Sequence, residues 1–122
     1  MSRIRPEELD ERLGSGEGPF VLDIRPEAAF REGAIENSHN VPVYGDLRRG
    51  NESALRDRLG EIPAGSEVVV VCKMGVVAKR ATSVLAEEGY DASTLTGGMS
   101  AWKGYRRGSL GYKLRSLLWT LR

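Results

Sequence analysis

The sequence predicts an α/β fold built on a mostly parallel sheet, and three observations lead there. Short apolar runs alternate with helical stretches along the chain, the order that gives parallel strands joined by crossover helices. Val68-Val69-Val70-Val71 is an unbroken β-branched run, the pattern of a strand buried on both faces. A glycine-containing turn follows this run, and helical periodicity begins directly after the turn.

Element by element, Pro6 opens a short helix over PEELDERL with acids in its first turn. The stretch Gly14 to Pro19 breaks that helix, and Phe20 to Ile24 reads as a strand. Pro26 to Arg31 forms another short helix that stops near Gly33. Ile35 to Val41 is weakly strand-like and ends before Pro42. A loop follows through Gly45 and Arg48-Arg49-Gly50, and Asn51 or Ser53 then caps a helix running to about Leu59. Pro63 to Ser66 is a turn, and Val68 to Cys72 is the central strand. Val76 to Glu88 is a helix, with Val77, Ala81, Val84 and Leu85 on one face and Gly89 as its stop. Asp91 to Thr96 is the last short strand, and Gly97-Gly98 leads into a short helix carrying Met99 and Trp102.

Composition bounds the function. A chain of 122 residues, 40% hydrophobic and 29% charged, is one globular domain with a real core. The single cysteine forbids an intramolecular disulfide, and one histidine with one cysteine cannot make a Cys/His zinc site. No run approaches the ~20 apolar residues of a membrane span, and MSRIRPEELDERL is charged and periodic, unlike a signal peptide. The expectation is a soluble protein in a reducing, cytoplasmic setting that needs neither metal nor cofactor. Charge is uneven: residues 1–105 hold 13 basic and all 17 acidic residues, whereas 106–122 hold Arg106, Arg107, Lys113, Arg115 and Arg122 and no acid. The body carries no basic stripe, so nucleic acid is not an expected partner.

The chemistry is expected beyond the carboxyl ends of the strands. The most buried strand ends at Cys72, and the next residues turn tightly into a helix. That puts a thiol at a helix N-terminus, where unpaired N–H groups and the positive end of the dipole stabilise a thiolate or a bound anion. Lys73 adds a cation, and Gly75 permits the sharp turn. A buried hydrophobic cysteine is the plain alternative; the position between valine strand and helix entry favours a reactive thiol. There is no GxSxG and no P-loop to compete, and His39, the sole histidine, reads as structural or exposed rather than as a base. Asp23 and Arg25, at a strand end, read as a structural ion pair.

Together these pieces resemble the rhodanese (sulfurtransferase) family over residues 3–104. Val21-Leu22-Asp23-Ile24-Arg25 is similar to the family's early strand with its Asp-x-Arg. Cys72-Lys73-Met74-Gly75-Val76-Val77-Ala78 is similar to its Cys-x-x-Gly active loop, and Leu95-Thr96-Gly97-Gly98-Met99-Ser100-Ala101-Trp102 to its Gly-Gly-x-x-x-Trp signature. The resemblance implies a rhodanese-like α/β fold, its central sheet flanked by helices on both faces. It also implies that Cys72 cycles through a persulfide cradled by the backbone amides of Lys73, Met74, Gly75, Val76 and Val77. Sulfur would pass from an anionic donor such as thiosulfate to a thiol or cyanide, and a redox or sulfur-relay protein is a further implied partner. The alternative is a rhodanese-like binding or regulatory module without turnover. A phosphatase or arsenate reductase on this fold needs an arginine six positions after the nucleophile, and position 78 is alanine. Three departures stand out: Val77 and Ala78 stand where many members carry Arg and Ser late in the loop, Ala34 replaces the histidine of the family's Gly-His-Ile, and Ala29 replaces an acid, so Arg25 must find another partner.

Residues 106–122 lie beyond the resemblance and divide the chain into a domain, 1–105, and a basic amphipathic tail helix. Wound from Ser109 to Arg122, the tail places Leu110, Leu114, Leu117, Leu118 and Leu121 on one stripe, with Tyr112 and Trp119 opposite. The expectation is that the leucine stripe packs on protein, either its own domain or a second copy, in preference to peripheral contact with a membrane.

Overall fold

The computed structural model describes residues 2–108 and 110–121. In chain order the elements are β1 (Arg3–Ile4), α1 (Pro6–Gly14), β2 (Phe20–Asp23), α2 (Glu27–Glu32), β3 (His39–Asn40), α3 (Tyr44–Arg48) and α4 (Ser53–Arg56). A single 3-10 turn at Leu59–Glu61 leads to β4 (Glu67–Val71), α5 (Ala78–Glu87), β5 (Asp91–Leu95), α6 (Gly98–Arg107) and α7 (Leu110–Thr120).

The strands form one five-stranded sheet in the order β1-β5-β4-β2-β3. Every neighbouring pair is parallel. The valine strand is therefore central, and its residues divide by parity, as the pleat requires. Val68, Val70 and Cys72 face a cluster with Leu47 of α3, Leu55 of α4, and Ala78, Ala81, Val84 and Leu85 of α5. Val69 and Val71 face the opposite cluster, with Leu9 of α1, Leu95 of β5, and Met99 and Trp102 of α6. Helices thus cover both faces of the sheet, and an unalternating run of valines is what such a strand needs.

Several sequence expectations are corrected. The segment read as a loop through Gly45 is α3, whose Leu47 is fully buried; one apolar anchor and a hydrogen bond from Arg80 Nη1 to the Leu47 carbonyl hold it. Neither Asn51 nor Ser53 caps α4. The Ser53 hydroxyl instead donates to Asn51 Oδ1 at 2.6 Å, and the helix ends at Arg56, short of Leu59. The expected strand from Ile35 to Val41 shrinks to two residues. The edge strand β1 was not foreseen, because two residues carry no periodicity.

The tail helix docks by the face opposite to the one expected. Leu114, Leu117, Leu118 and Leu121 are 55%, 56%, 61% and 74% exposed, so they do not pack on the chain's own domain. Trp119 is half-buried, beside Arg3, Arg5 and Thr96, and Arg5 donates to the Thr120 hydroxyl at 3.4 Å. Ser109 and Arg122 lie outside the described residues, and the side chains of Leu110, Tyr112 and Arg115 outside the described side chains. Arg106 and Arg107 belong to the end of α6.

Candidate active site

The carboxyl ends of β4, β2 and β5 meet at one edge of the sheet, and Cys72 stands at the centre of it. β4 stops at Val71, and α5 starts only at Ala78, so residues 72–77 form the loop between them. The Cys72 side chain is 1% exposed. Its Sγ receives N–H groups from Gly75 at 3.1 Å and Ala78 at 3.4 Å. The sulfur therefore sits under the N-terminus of α5, where a helix has N–H groups to spare. The backbone N–H groups of Lys73, Met74, Val76 and Val77 donate to no acceptor among the described residues. Lys73, Met74 and Val76 form an exposed rim, Val77 is half-buried, and Gly75 and Ala78 are buried against the sulfur.

The Gly97-Gly98 pair explains how the loop is held. Met99 and Ser100, in the first turn of α6, donate to the carbonyls of Cys72 and Lys73 at 2.8 and 3.0 Å. A loop whose carbonyls are taken by one helix leaves its amides for the sulfur side. That approach tolerates no side chain at position 98: a Cβ there would lie 2.3 Å from the Cys72 carbonyl oxygen and 2.7 Å from the Lys73 carbonyl, at a φ of +57°. Gly75 is similarly pinned, its φ at +84° and a Cβ position 3.0 Å from the Gly97 nitrogen.

Asp23 and Arg25 form the structural pair the sequence suggests, buried to 1% and 5% exposure. Arg25 reaches Asp23 through Nε at 3.0 Å and Nη2 at 2.8 Å. Its further partner, in place of the missing acid, is the Gly33 carbonyl at 2.8 Å. Asn40 clasps the turn from outside by donating to the carbonyls of Asp23 and Arg25, each at 2.9 Å. His39 takes no part in the site: Nε2 lies 2.8 Å from Glu61 Oε1 and the ring packs on Phe20.

Beside the loop lies a cleft of about 570 Å³ lined in part by Arg25, Tyr44, Lys73, Met99, Lys103 and Arg107. Lys73, Lys103 and Arg107 form no ion pair among the described residues. Met99, Lys103 and Arg107 repeat every four residues, so α6 presents one stripe to the cleft. Sequence reading missed Ala78, Lys103 and Arg107. The first was findable as the helix's opening amide and the others by the stripe through Met99. A second cleft of about 530 Å³ flanks the other side of the loop, between Met74, Gly75, Val76, Gly97 and Trp119.

A buried cysteine sulfur at the start of a helix, at the carboxyl edge of a parallel sheet, defines the class of protein: an α/β domain with a thiol set beneath backbone amides. The Rhodanese-like domain profile matches residues 5–105, and the chain belongs to that family. It is 29% identical over 103 residues to a protein of Allochromatium vinosum named sulfurtransferase, covering 84% of this chain and 88% of that one. It is 34% identical over 102 residues, 83% of its length, to the maize adenylyltransferase and sulfurtransferase MOCS3-2. The chain spans only about a fifth of that maize relative, 21% of its length. Among solved structures, the rhodanese-like domain protein of Staphylococcus aureus superposes with a TM-score of 0.71 at 25% identity, covering 84% of this chain and 91% of that one.

Proposed function

We propose that the domain is a sulfurtransferase that carries sulfane sulfur on Cys72. The observation that carries the reading is the Cys72 sulfur beneath the Gly75 and Ala78 amides, with the remaining loop amides available to an outer atom. In the first half-reaction the Cys72 thiolate attacks the outer sulfur of a donor such as thiosulfate. A Sγ–S bond forms, the donor's S–S bond breaks, and sulfite leaves with the electron pair. In the second, a thiolate or cyanide attacks the outer sulfur of the persulfide, its S–S bond breaks, and the Cys72 thiolate is restored. The loop amides of residues 73–77 offset charge on the outer sulfur, and Lys73 draws in the anionic donor. A protein acceptor in a sulfur relay is the further partner; what supports it is a match to relatives in which this domain is a minor part of a longer sulfurtransferase. The test is intact mass after incubation with thiosulfate and removal of excess reagent. A gain of one sulfur atom in the wild type, absent from Cys72→Ser, is expected. An unchanged wild-type mass, or the same gain in the variant, overturns the reading.

A further inference from the structure

The exposed large apolar side chains among those described are six, and they belong to two elements only. Met74 and Val76, 51% and 68% exposed, stand on the Cys72 loop; Leu114, Leu117, Leu118 and Leu121 stand on α7. The two elements are neighbours, because Trp119 of α7 and the loop residues Met74, Gly75 and Val76 line the same cleft. At 100° per residue the four leucines fall within about a third of the helix circumference. Half-buried Trp119 and Ser116 lie on the opposite face, so the helix is already seated on the domain while its apolar stripe points outward. Residues 106–122 contribute five basic residues and no acid; Lys113 and Arg115 are the two within α7, while Arg106 and Arg107 end α6 and Arg106 pairs with Asp10. No helix among the described residues is long and apolar enough to cross a membrane.

We propose that α7 is an interfacial helix that lays its leucine face on an anionic lipid surface and so holds the Cys72 loop beside that surface. Charge selects this occupant. A leucine stripe on a helix flanked by cations alone matches a bilayer rich in anionic headgroups, with leucines among the upper acyl chains and cations at the phosphates. A second copy would bring two cationic helices face to face, which like-charge repulsion opposes. Docking needs no ordering of a free segment, since Trp119 and the bond from Arg5 to Thr120 already hold the helix. An attachment of this size is peripheral, reversible and weakened by salt. It is independent of the sulfur chemistry.

The experiment is co-sedimentation of the full chain with vesicles of phosphatidylcholine alone and of phosphatidylcholine mixed with phosphatidylglycerol, at physiological and at high salt. Pelleting with the mixed vesicles only, lost at high salt, is expected. The double variant Leu117→Glu/Leu118→Glu should lower that binding by at least about tenfold while leaving far-UV circular dichroism and sulfur transfer unchanged, because both side chains face outward. Three results overturn the proposal: no pelleting with the mixed vesicles, equal pelleting with neutral vesicles, or unaltered pelleting of the double variant. A dimer in sedimentation velocity that the double variant dissociates, without any lipid binding, assigns the stripe to a second copy and also overturns it.

Discussion

At the scale of single residues, chemistry and geometry separate cleanly around Cys72. A Cys72→Ser oxygen still accepts from the Gly75 and Ala78 amides but cannot form a persulfide. Thiosulfate:cyanide transfer should fall to background while the thermal midpoint stays near that of the wild type; retained turnover would rule out the covalent route. Lys73 is exposed and forms no ion pair among the described residues, so under the proposed function it acts by attracting the charged donor. Lys73→Ala should raise KM for thiosulfate about fivefold and leave a neutral donor unaffected, which paired kinetics would check. Gly98 acts by having no side chain. Gly98→Ala forces a Cβ to within 2.3 Å of the Cys72 carbonyl oxygen, so either α6 or the loop must move. A stability loss on the order of 2 kcal/mol or more is expected, together with loss of transfer. The cysteine was legible in the sequence because a valine run and a helix entry bracket it. The Ala78 amide was not, because a backbone donor carries no side-chain signal.

At the scale of elements, the ends of β2 and α2 depend on one buried ion pair. Arg25→Ala leaves Asp23, at 1% exposure, without its guanidinium partner and frees the Gly33 carbonyl; removing one partner of a buried pair costs about 3–5 kcal/mol. Urea denaturation of the variant should show that loss, whereas exposed Arg31→Ala, which breaks only the i,i+4 pair with Glu27, should cost less than about 1 kcal/mol. This pair was legible as Asp-x-Arg, but its closing partner was not, since Gly33 contributes only a carbonyl. Elements with a clear period or a compact apolar run, such as α1, β2, β4, α5 and β5, were readable to within a residue or two. The failures share a cause: α3 and β1 are too short for a period, and tertiary contacts fix them. The leucine spacing along α7 is visible in the sequence, yet polarity along a helix does not say which face meets the domain. Here one indole on the polar side outcompetes four leucines.

At the scale of the whole molecule, the sheet's five parallel strands leave surface ion pairs to tie the periphery together. Glu61 is held down to about 2 from 4.5, first by hydrogen bonding to Arg58 and then by His39, and Glu67 is lowered by Arg12. A carboxylate with a depressed folded value adds stability that is present above its unfolded value and is lost as pH falls through the folded one. The Glu61 part is therefore complete above about pH 4.5 and disappears toward about pH 2. Because Glu61 is well exposed, the effect is modest. Glu61→Gln should flatten the acid limb of stability against pH in that window, measured by urea midpoints.

The seating of Trp119 at the lip of the loop cleft gives the chain its own optical gauge. The protein contains two indoles. Trp102 is 8% exposed, packed in the interior with Arg106 over its ring, and should emit as a constant background. Trp119 shares its cleft with Met74, Gly75 and Val76, so any rearrangement of that loop in the proposed sulfur cycle changes the surroundings of a fluorophore. Stopped-flow emission, with Trp119→Phe as the dark control, would time each half-reaction without an added label.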